Sequence, residues 1–369
     1  MISKVIKFGN YKYDYIYGSN ILSKLNEVPL IKELEQFLII ADEDVPSDII
    51  NQVEMGINKI GKTNLLRFPG GEENKNLDVV HQLANRAVFQ GANRRTGVIA
   101  IGGGLTGNVA GMVAALMFRG LPLIHIPTTL MSATDSVLSL KQAVNLKGGK
   151  NLVGQFYAPS LIFTDFDVFK TLSIRDIQSG LCELIKNLLA IAPEYIETIG
   201  DLLKTDNNYS TEEYSQFLEF CILAKTSVME QDPYEKNEGL ALEYGHTIGH
   251  ALELASQGKY RHGECVAFGM LCEAKISQRI GLLSEKEVYL HRVLFDKIGV
   301  AIKPEMSVYD SIIHYLKFDN KKGYRSNDDN YIGMVLLKQL GEVNQENNLQ
   351  LTLVESEICF DVLKEELSS

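Results

Sequence analysis

Gly97-Val-Ile-Ala-Ile-Gly-Gly-Gly-Leu-Thr-Gly-Asn108 is the stretch that decides how this chain folds. Residues 97–101 form an uninterrupted apolar run, the mark of a strand buried on both faces. The run empties into Gly102-Gly-Gly104, and a helical pattern begins. Strand, glycine loop, helix is the arrangement that cradles phosphates, because backbone N–H groups and the helix N-terminus face the anion. The glycines match neither a strict GxGxxG nor a Walker A loop, and a tight strand-to-helix turn without a ligand has the same local sequence. The surrounding pattern favours a dinucleotide.

Working outward, Phe37-Leu-Ile-Ile-Ala41 is a second apolar run and ends at Asp42-Glu-Asp44. An acidic residue at a strand's carboxyl end takes ribose hydroxyls in dinucleotide folds, and it equally serves as a helix N-cap. Residues 64–67 repeat the pattern and run into Pro69-Gly-Gly-Glu72-Glu-Asn-Lys75; a helix over 77–90 follows, with Val79, Val80, Leu83 and Ala87 on one face. Further strands are predicted at 123–126, ending in Pro127-Thr128-Thr129, and at 161–164, with Asp135, Lys141, Lys150 and Asn151 between them. Alternating strands and helices predict a parallel sheet whose ligands sit at the strands' carboxyl ends.

Beyond about residue 171 the periodicity is helical. Helices are predicted over 174–190, 214–230, 240–254, 263–280, 285–298, 307–316 and 355–367. A charged turn at 318–323 precedes a strand at 332–337, which pairs with residues 343–353 as a hairpin. The expectation is an α/β protein of two domains: a Rossmann-like parallel-sheet domain over 1–172 and a mainly α-helical domain over 173–369.

In the second half, Glu243-Tyr-Gly-His246-Thr-Ile-Gly-His250 is followed by His262-Gly-Glu264, which places three of the seven histidines in one short stretch. His246 and His250 are four apart and share a helical face; the turn Ser256-Gln-Gly258 returns the chain to His262. Imidazoles in such a group suit zinc and its neighbours. The zinc-protease motif is excluded, because it needs Glu directly after the first His and Thr247 stands there. Spacing alone leaves open which of the three bind a metal, and buried structural histidines are the alternative. Glu183 and Lys186 are three apart, the spacing of a surface ion pair.

At 369 residues, 45% hydrophobic and 22% charged, the chain suits a globular protein with two sizeable cores. A net charge of −11 excludes general nucleic-acid binding, so an anionic substrate needs a local group of Lys and Arg. The five cysteines are scattered and free of CxxC, which points to reduced thiols and a cytoplasmic location. The N-terminus lacks a signal-peptide core, and the most apolar stretch, 109–130, is interrupted by Arg119, Gly120, Pro122 and His125; no membrane span is expected.

Taken together, these motifs resemble the dehydroquinate synthase family of sugar-phosphate cyclases. The resemblance runs over nearly the whole chain: Gly102-Gly-Gly104 with Asn108, Phe118-Arg119-Gly120, Pro127-Thr128-Thr129 with Asp135, Lys141, Lys150-Asn151, Glu183-Leu-Ile-Lys186, Gly245-His246-Thr-Ile-Gly-His250, His262-Gly-Glu264 and Asp319-Asn-Lys321. It implies bound NAD and a divalent metal, Co2+ or Zn2+, held by Glu183, His246 and His262, with His250 in the site but not a ligand. It implies NAD contacts from Asp42, Glu72, Glu73, Asn74, Lys75, Gly104, Leu105, Thr106, Gly107, Asn108, Thr128, Thr129, Lys141, Lys150 and Asn151. Asp135, Lys141, Lys150, Asn151, Lys186, Lys225, Glu243, His250 and Lys321 match substrate-site positions. Arg119 matches an arginine that reaches the neighbouring subunit's site, which implies a homodimer.

Two positions depart from dehydroquinate synthases: Gly239 stands where they carry Arg, and Glu243 where they carry Asn. Losing that cation argues against their substrate, which bears a carboxylate besides its phosphate. Glu243, Gly91-Ala-Asn-Arg-Arg95 and the stretch 136–154 instead resemble the branch that closes a carbocycle from glucose 6-phosphate. The implied catalytic residues are Glu243 as base or acid in phosphate elimination, Lys141 beside the nicotinamide, and His250 as a proton relay. Dehydroquinate synthase itself and an NAD-dependent metal polyol dehydrogenase are the competing readings.

Overall fold

The computed structural model describes residues 1–147, 149–318, 321, 328 and 330–368. The chain separates into two compact units, Met1–Leu172 and Ser173–Ser369.

The first unit is built on a seven-stranded sheet. Its strands are β1 (Ile2–Phe8), β2 (Tyr11–Gly18), β3 (Gln36–Asp42), β4 (Lys62–Phe68), β5 (Thr96–Gly102), β6 (Leu123–Pro127) and β9 (Leu161–Asp165), in the spatial order β1-β2-β9-β6-β5-β3-β4. Only β1 runs antiparallel to its neighbour. The expected parallel-sheet fold is thus borne out. Beside it, β7 (Lys141–Leu146) and β8 (Gly149–Phe156) form a separate antiparallel hairpin. The hairpins β1–β2 and β7–β8 are both absent from the sequence expectation. Helices α1 (Pro29–Lys32), α2 (Ser47–Ile57), α3 (Leu77–Phe89) and α4 (Gly104–Leu116) connect the strands. α3 and α4 enclose one core with Leu38, Ile40, Leu66, Val98 and Ala100. α4 is rich in Gly and Ala and nearly all buried, which lets it lie close against the strands.

Because β3 pairs with β4 on one side and β5 on the other, the strand order reverses between β3 and β5. The carboxyl ends of such a pair are where ligands bind in open parallel sheets. Asp42 closes β3 and Gly102-Gly-Gly104 closes β5 there.

The second unit holds helices α5 (Ile174–Ala190), α6 (Ile196–Gly200), α7 (Thr211–Met229), α8 (His246–Ala255), α9 (His262–Arg279), α10 (Glu285–Lys297), α11 (Tyr309–Leu316) and α12 (Ser356–Ser368). Ser173 caps α5, and Ser210 with Glu213 and Ser284 with Glu287 make capping boxes on α7 and α10. The core includes Ile248, Leu252, Phe268, Ile276, Ile312, Val362 and Leu363. All five cysteines lie in this unit, free and buried.

Three expectations need correction. The helix predicted over 240–254 is broken: a 3₁₀ turn covers Glu238–Glu243, Gly245 takes φ +80°, and α8 begins only at His246. The single C-terminal hairpin is two small ladders, β10 (Tyr331–Met334) with β13 (Thr352–Glu355), and β11 (Leu337–Gln339) with β12 (Glu342–Val343). The surface ion pair of Glu183 and Lys186 is instead fully buried. Of the charged turn at 318–323, residues 319, 320, 322 and 323 lie outside the described residues, so the motif Asp319-Asn-Lys321 is represented by Lys321 alone. Among the described residues, no helix is long and apolar enough to cross a membrane.

Candidate active site

In the second unit, α5, α8 and α9 bring one carboxylate and three imidazoles together. Glu183 projects from the buried face of α5; its Oε1 lies 3.6 Å from His246 Nε2 and 3.3 Å from His262 Nε2. Lys186, one turn along α5, places Nζ 2.6 Å from Glu183 Oε2. His246 opens α8 and His262 opens α9. α9 is held against α5 by Arg175, which donates to both oxygens of Glu264 at 3.0 and 2.6 Å, and by the Gly263 N–H bonded to Ser179 Oγ at 3.0 Å. A Cβ on Gly263 would stand 2.1 Å from Ser179 O, so glycine permits this approach.

Each of two imidazoles is aimed by its other nitrogen. His246 Nδ1 bonds to Tyr244 O at 3.1 Å, and His262 Nδ1 bonds to Glu253 Oε2 at 3.1 Å. Both leave Nε2 directed at Glu183. A carbonyl or carboxylate behind a histidine is the usual support for a metal ligand. His250 makes no such bond among the described residues, although one nitrogen from each of His246, His250 and His262 lies within 4.8 Å of the others.

The electrostatics suit a cation. Burial opposes ionisation of Glu183, but Lys186, His246 and His262 outweigh it and hold its carboxyl well below the usual range. Burial likewise opposes charge on His262, yet Glu253 and Glu183 push its pKa up to about 10. His246 is driven the other way, down to about 4, mainly by burial. Neither oxygen of the buried Glu183 carboxylate receives a well-directed hydrogen bond. A buried carboxylate facing two preset imidazole nitrogens fits a dication with N/O ligands and an open position.

In the same unit Lys186, Lys225 and Lys321 are buried, and Lys321 Nζ stands 3.6 Å from Glu243 Oε2. Glu243 ends the 3₁₀ turn two residues before Gly245. Gly239 lies in the same turn, where a Cβ would approach Glu235 Cγ to 2.9 Å and Asp232 O to 3.1 Å. A larger side chain at this position would therefore require Glu235 or the turn to shift.

In the first unit the glycine loop opens α4 without a side-chain cap, leaving its N–H groups available to an anion. Thr106 donates to Asp42 Oδ2 at 2.6 Å, tying the end of β3 to the first turn of α4. Asp42 is therefore not the cap of the helix that follows β3, and α2 starts at Ser47 with no side-chain cap. Asn108 accepts from Ala143 N at 2.9 Å and so anchors the β7–β8 hairpin. The hairpin is also pinned to the turn at 72–75: Lys75 donates to Asn151 Oδ1 at 2.6 Å, and Lys150 lies 3.5 Å from Glu72. Asn145 donates to Glu72 Oε2 at 2.9 Å and accepts from Asn151 N at 2.9 Å. Thr128 bonds its N–H to Gly102 O, Thr129 accepts from Ser132 N, and Asp135 sits on the π-type turn Ser132–Ser136. The residues assigned to NAD thus gather around one helix N-terminus. Arg119 lies apart from them in a left-handed run, with φ +51° at Phe118, +67° at Arg119 and +124° at Gly120.

Two supports escaped the sequence. Glu253 follows His246 by seven and His250 by three, the same face of α8, and that spacing was its available signal. Asn145 carries no signal of its own, since its partners come from another loop.

Comparison with known proteins identifies the family. Residues 65–179 match the model of the 3-dehydroquinate synthase N-terminal domain and residues 180–322 that of its C-terminal domain. The 2-deoxy-scyllo-inosose synthase of Niallia circulans is 44% identical over 368 residues, covering 100% of both chains. A crystal structure of 2-deoxy-scyllo-inosose synthase complexed with carbaglucose-6-phosphate, NAD+ and Co2+ is 42% identical, with a TM-score of 0.92 and 99% of each chain covered. The 2-epi-5-epi-valiolone synthase from Streptomyces hygroscopicus, solved with NAD+ and Zn2+, shares the fold at a TM-score of 0.82, 21% identity and 99% coverage of each chain. The chain belongs to the dehydroquinate synthase family of sugar-phosphate cyclases.

Proposed function

We propose that this chain converts D-glucose 6-phosphate to 2-deoxy-scyllo-inosose and inorganic phosphate, the carbocycle-forming step toward 2-deoxystreptamine antibiotics. The observation that carries the reading is Glu243 paired with Gly239, in a chain 44% identical end to end to a 2-deoxy-scyllo-inosose synthase. The chain offers no arginine at 239 for a substrate carboxylate, and a carboxylate able to move protons stands four residues on.

Glu183, His246 and His262 hold the divalent ion, Co2+ or Zn2+; the bonds behind His246 and His262 favour this set over one containing His250. Asp42, the turn at 72–75, Gly104 to Asn108, Thr128 and Thr129 hold NAD+. When bound, the two supply a Lewis acid for the C4 hydroxyl and a reversible store for its hydride, so that C4 passes through a ketone with no net redox change.

The chain's own side chains do the rest. The C4 ketone acidifies C5–H; Glu243 takes that proton as the C6–O bond breaks and phosphate leaves. Lys186, Lys225 and Lys321 hold the phosphate, and Lys150 and Asn151 are further substrate-binding residues. Lys141 orients the reacting hydroxyls beside the nicotinamide, Asp135 binds substrate, and His250 relays the proton lost from the C4 hydroxyl. After C4 is reduced the ring opens, and an intramolecular aldol joins the enol carbon to the aldehyde. The assembly is read as a homodimer, with Arg119 serving the neighbouring subunit.

The test is incubation of the purified protein with glucose 6-phosphate, NAD+ and Co2+. Equal amounts of phosphate and carbocyclic ketone are expected, with NAD+ needed only catalytically. Steady accumulation of free NADH would identify a polyol dehydrogenase instead, and no phosphate release would reject the cyclase.

A further inference from the structure

Glu273 lies on α9, about three turns beyond His262, and no step above uses it. It is 0% exposed. Its Oε2 accepts the backbone N–H of Gly245 at 2.6 Å. Gly245 is the left-handed residue immediately before His246. One turn earlier in α9, Gly269 packs so tightly that a Cβ would meet Gly245 O at 1.9 Å. α9 therefore grips Gly245 at its N–H and its carbonyl.

Tyr244, on the other side of the same peptide, supplies the carbonyl that receives His246 Nδ1. Its own hydroxyl is fixed too. Burial lowers the His291 pKa to about 4, so that ring is neutral and carries one N–H. Nδ1 gives it to Glu287 O at 2.7 Å, and Nε2 accepts from Tyr244 OH at 2.8 Å. This carboxylate, wholly out of water, is set against the peptide whose carbonyl aims His246.

We propose that Glu273 is a positioning residue for His246: it fixes the Tyr244–Gly245 peptide so that the Tyr244 carbonyl keeps the imidazole aimed at Glu183. The proposal rests on the metal site assigned above.

The experiment titrates Co2+ into full-length protein with NAD+ bound and follows the visible band of the ion, in wild type, Glu273→Leu and Glu273→Gln. Melting of the metal-free proteins by circular dichroism controls for folding. Removing the acceptor in Glu273→Leu is expected to weaken Co2+ binding about ten- to a hundredfold and to shift the band. Glu273→Gln keeps an acceptor and is expected to bind within about threefold of wild type. A folded Glu273→Leu with unchanged affinity and band overturns the proposal, as does a Glu273→Gln as weak as Glu273→Leu. Wild-type protein that takes up no Co2+ would instead reject the metal site itself. Should Glu273→Leu not fold, hydrogen exchange at the wild-type Gly245 amide decides: protection like that of the α9 interior is expected, and exchange as fast as exposed turns overturns the assignment.

Discussion

Between Glu183 and His262 a proton and a dication compete for the same space. With His262 pushed up to about 10, a proton sits on that ring at neutral pH unless a metal displaces it, so metal uptake releases acid and strengthens as pH rises. The ligand assignment has a direct check. Glu183→Ala is expected to lower Co2+ affinity by about a hundredfold or more, whereas His250→Asn keeps it within about tenfold while slowing turnover; calorimetric titration distinguishes the two, and equal losses would put His250 in the ligand set. Glu243→Gln is expected to slow phosphate release about a hundred- to ten-thousandfold with Co2+ and NAD+ still bound, and turnover within about tenfold of wild type would remove Glu243 from the elimination. The sequence exposed the three histidines by their crowding. It exposed Glu183 only through family likeness, because a Glu and Lys three apart on a helix are common. What separates this pair from a surface pair is burial, and burial comes from α7, α9 and α10 packing around α5.

At the scale of elements, glycine sets how closely the site's helices approach. Gly269→Ala would drive a methyl group into the Gly245 carbonyl, with backbone on both sides and little room to yield. Overpacking of this sort costs about 1–3 kcal/mol, so a lower melting temperature and weaker Co2+ binding are expected together; a melting temperature equal to wild type would mean that α8 and α9 have freedom to part. Gly245 also explains the misread helix. Apolar periodicity continues straight across residues 240–254, and nothing in it distinguishes a tolerated glycine from one turned to φ +80°. The alternating tyrosines of β2, at 11, 13, 15 and 17, were a legible period-two signal. The β7–β8 hairpin was not legible: no residue of β8 is fully buried, so no buried face imposes alternation on its sequence.

For the molecule as a whole, the charge of −11 contrasts with four buried lysines among the described residues, Lys75, Lys186, Lys225 and Lys321. The fold class was readable because buried parallel strands write continuous apolar runs; the strand order was not, since it depends on long-range pairing. Stability should also depend on pH through His125 of β6, whose ring is buried beneath Gly107 of α4. Burial lowers its pKa from 6.5 to about 4. The unfolded chain therefore takes a proton first as pH falls. The contribution is whole above pH 6.5, is lost between there and about 4, and amounts to about 3 kcal/mol. His125→Leu is expected to flatten the pH dependence of denaturant unfolding in that window; an unchanged slope would mean that the ring is protonated when folded. The sealed thiols carry a different consequence. Since every cysteine belongs to the helical unit and none reaches solvent, a coloured thiol reagent would stay silent on the native protein and develop only as that half opens. The chain thereby carries its own half-molecule stopwatch for unfolding, one to which the parallel-sheet half contributes no signal.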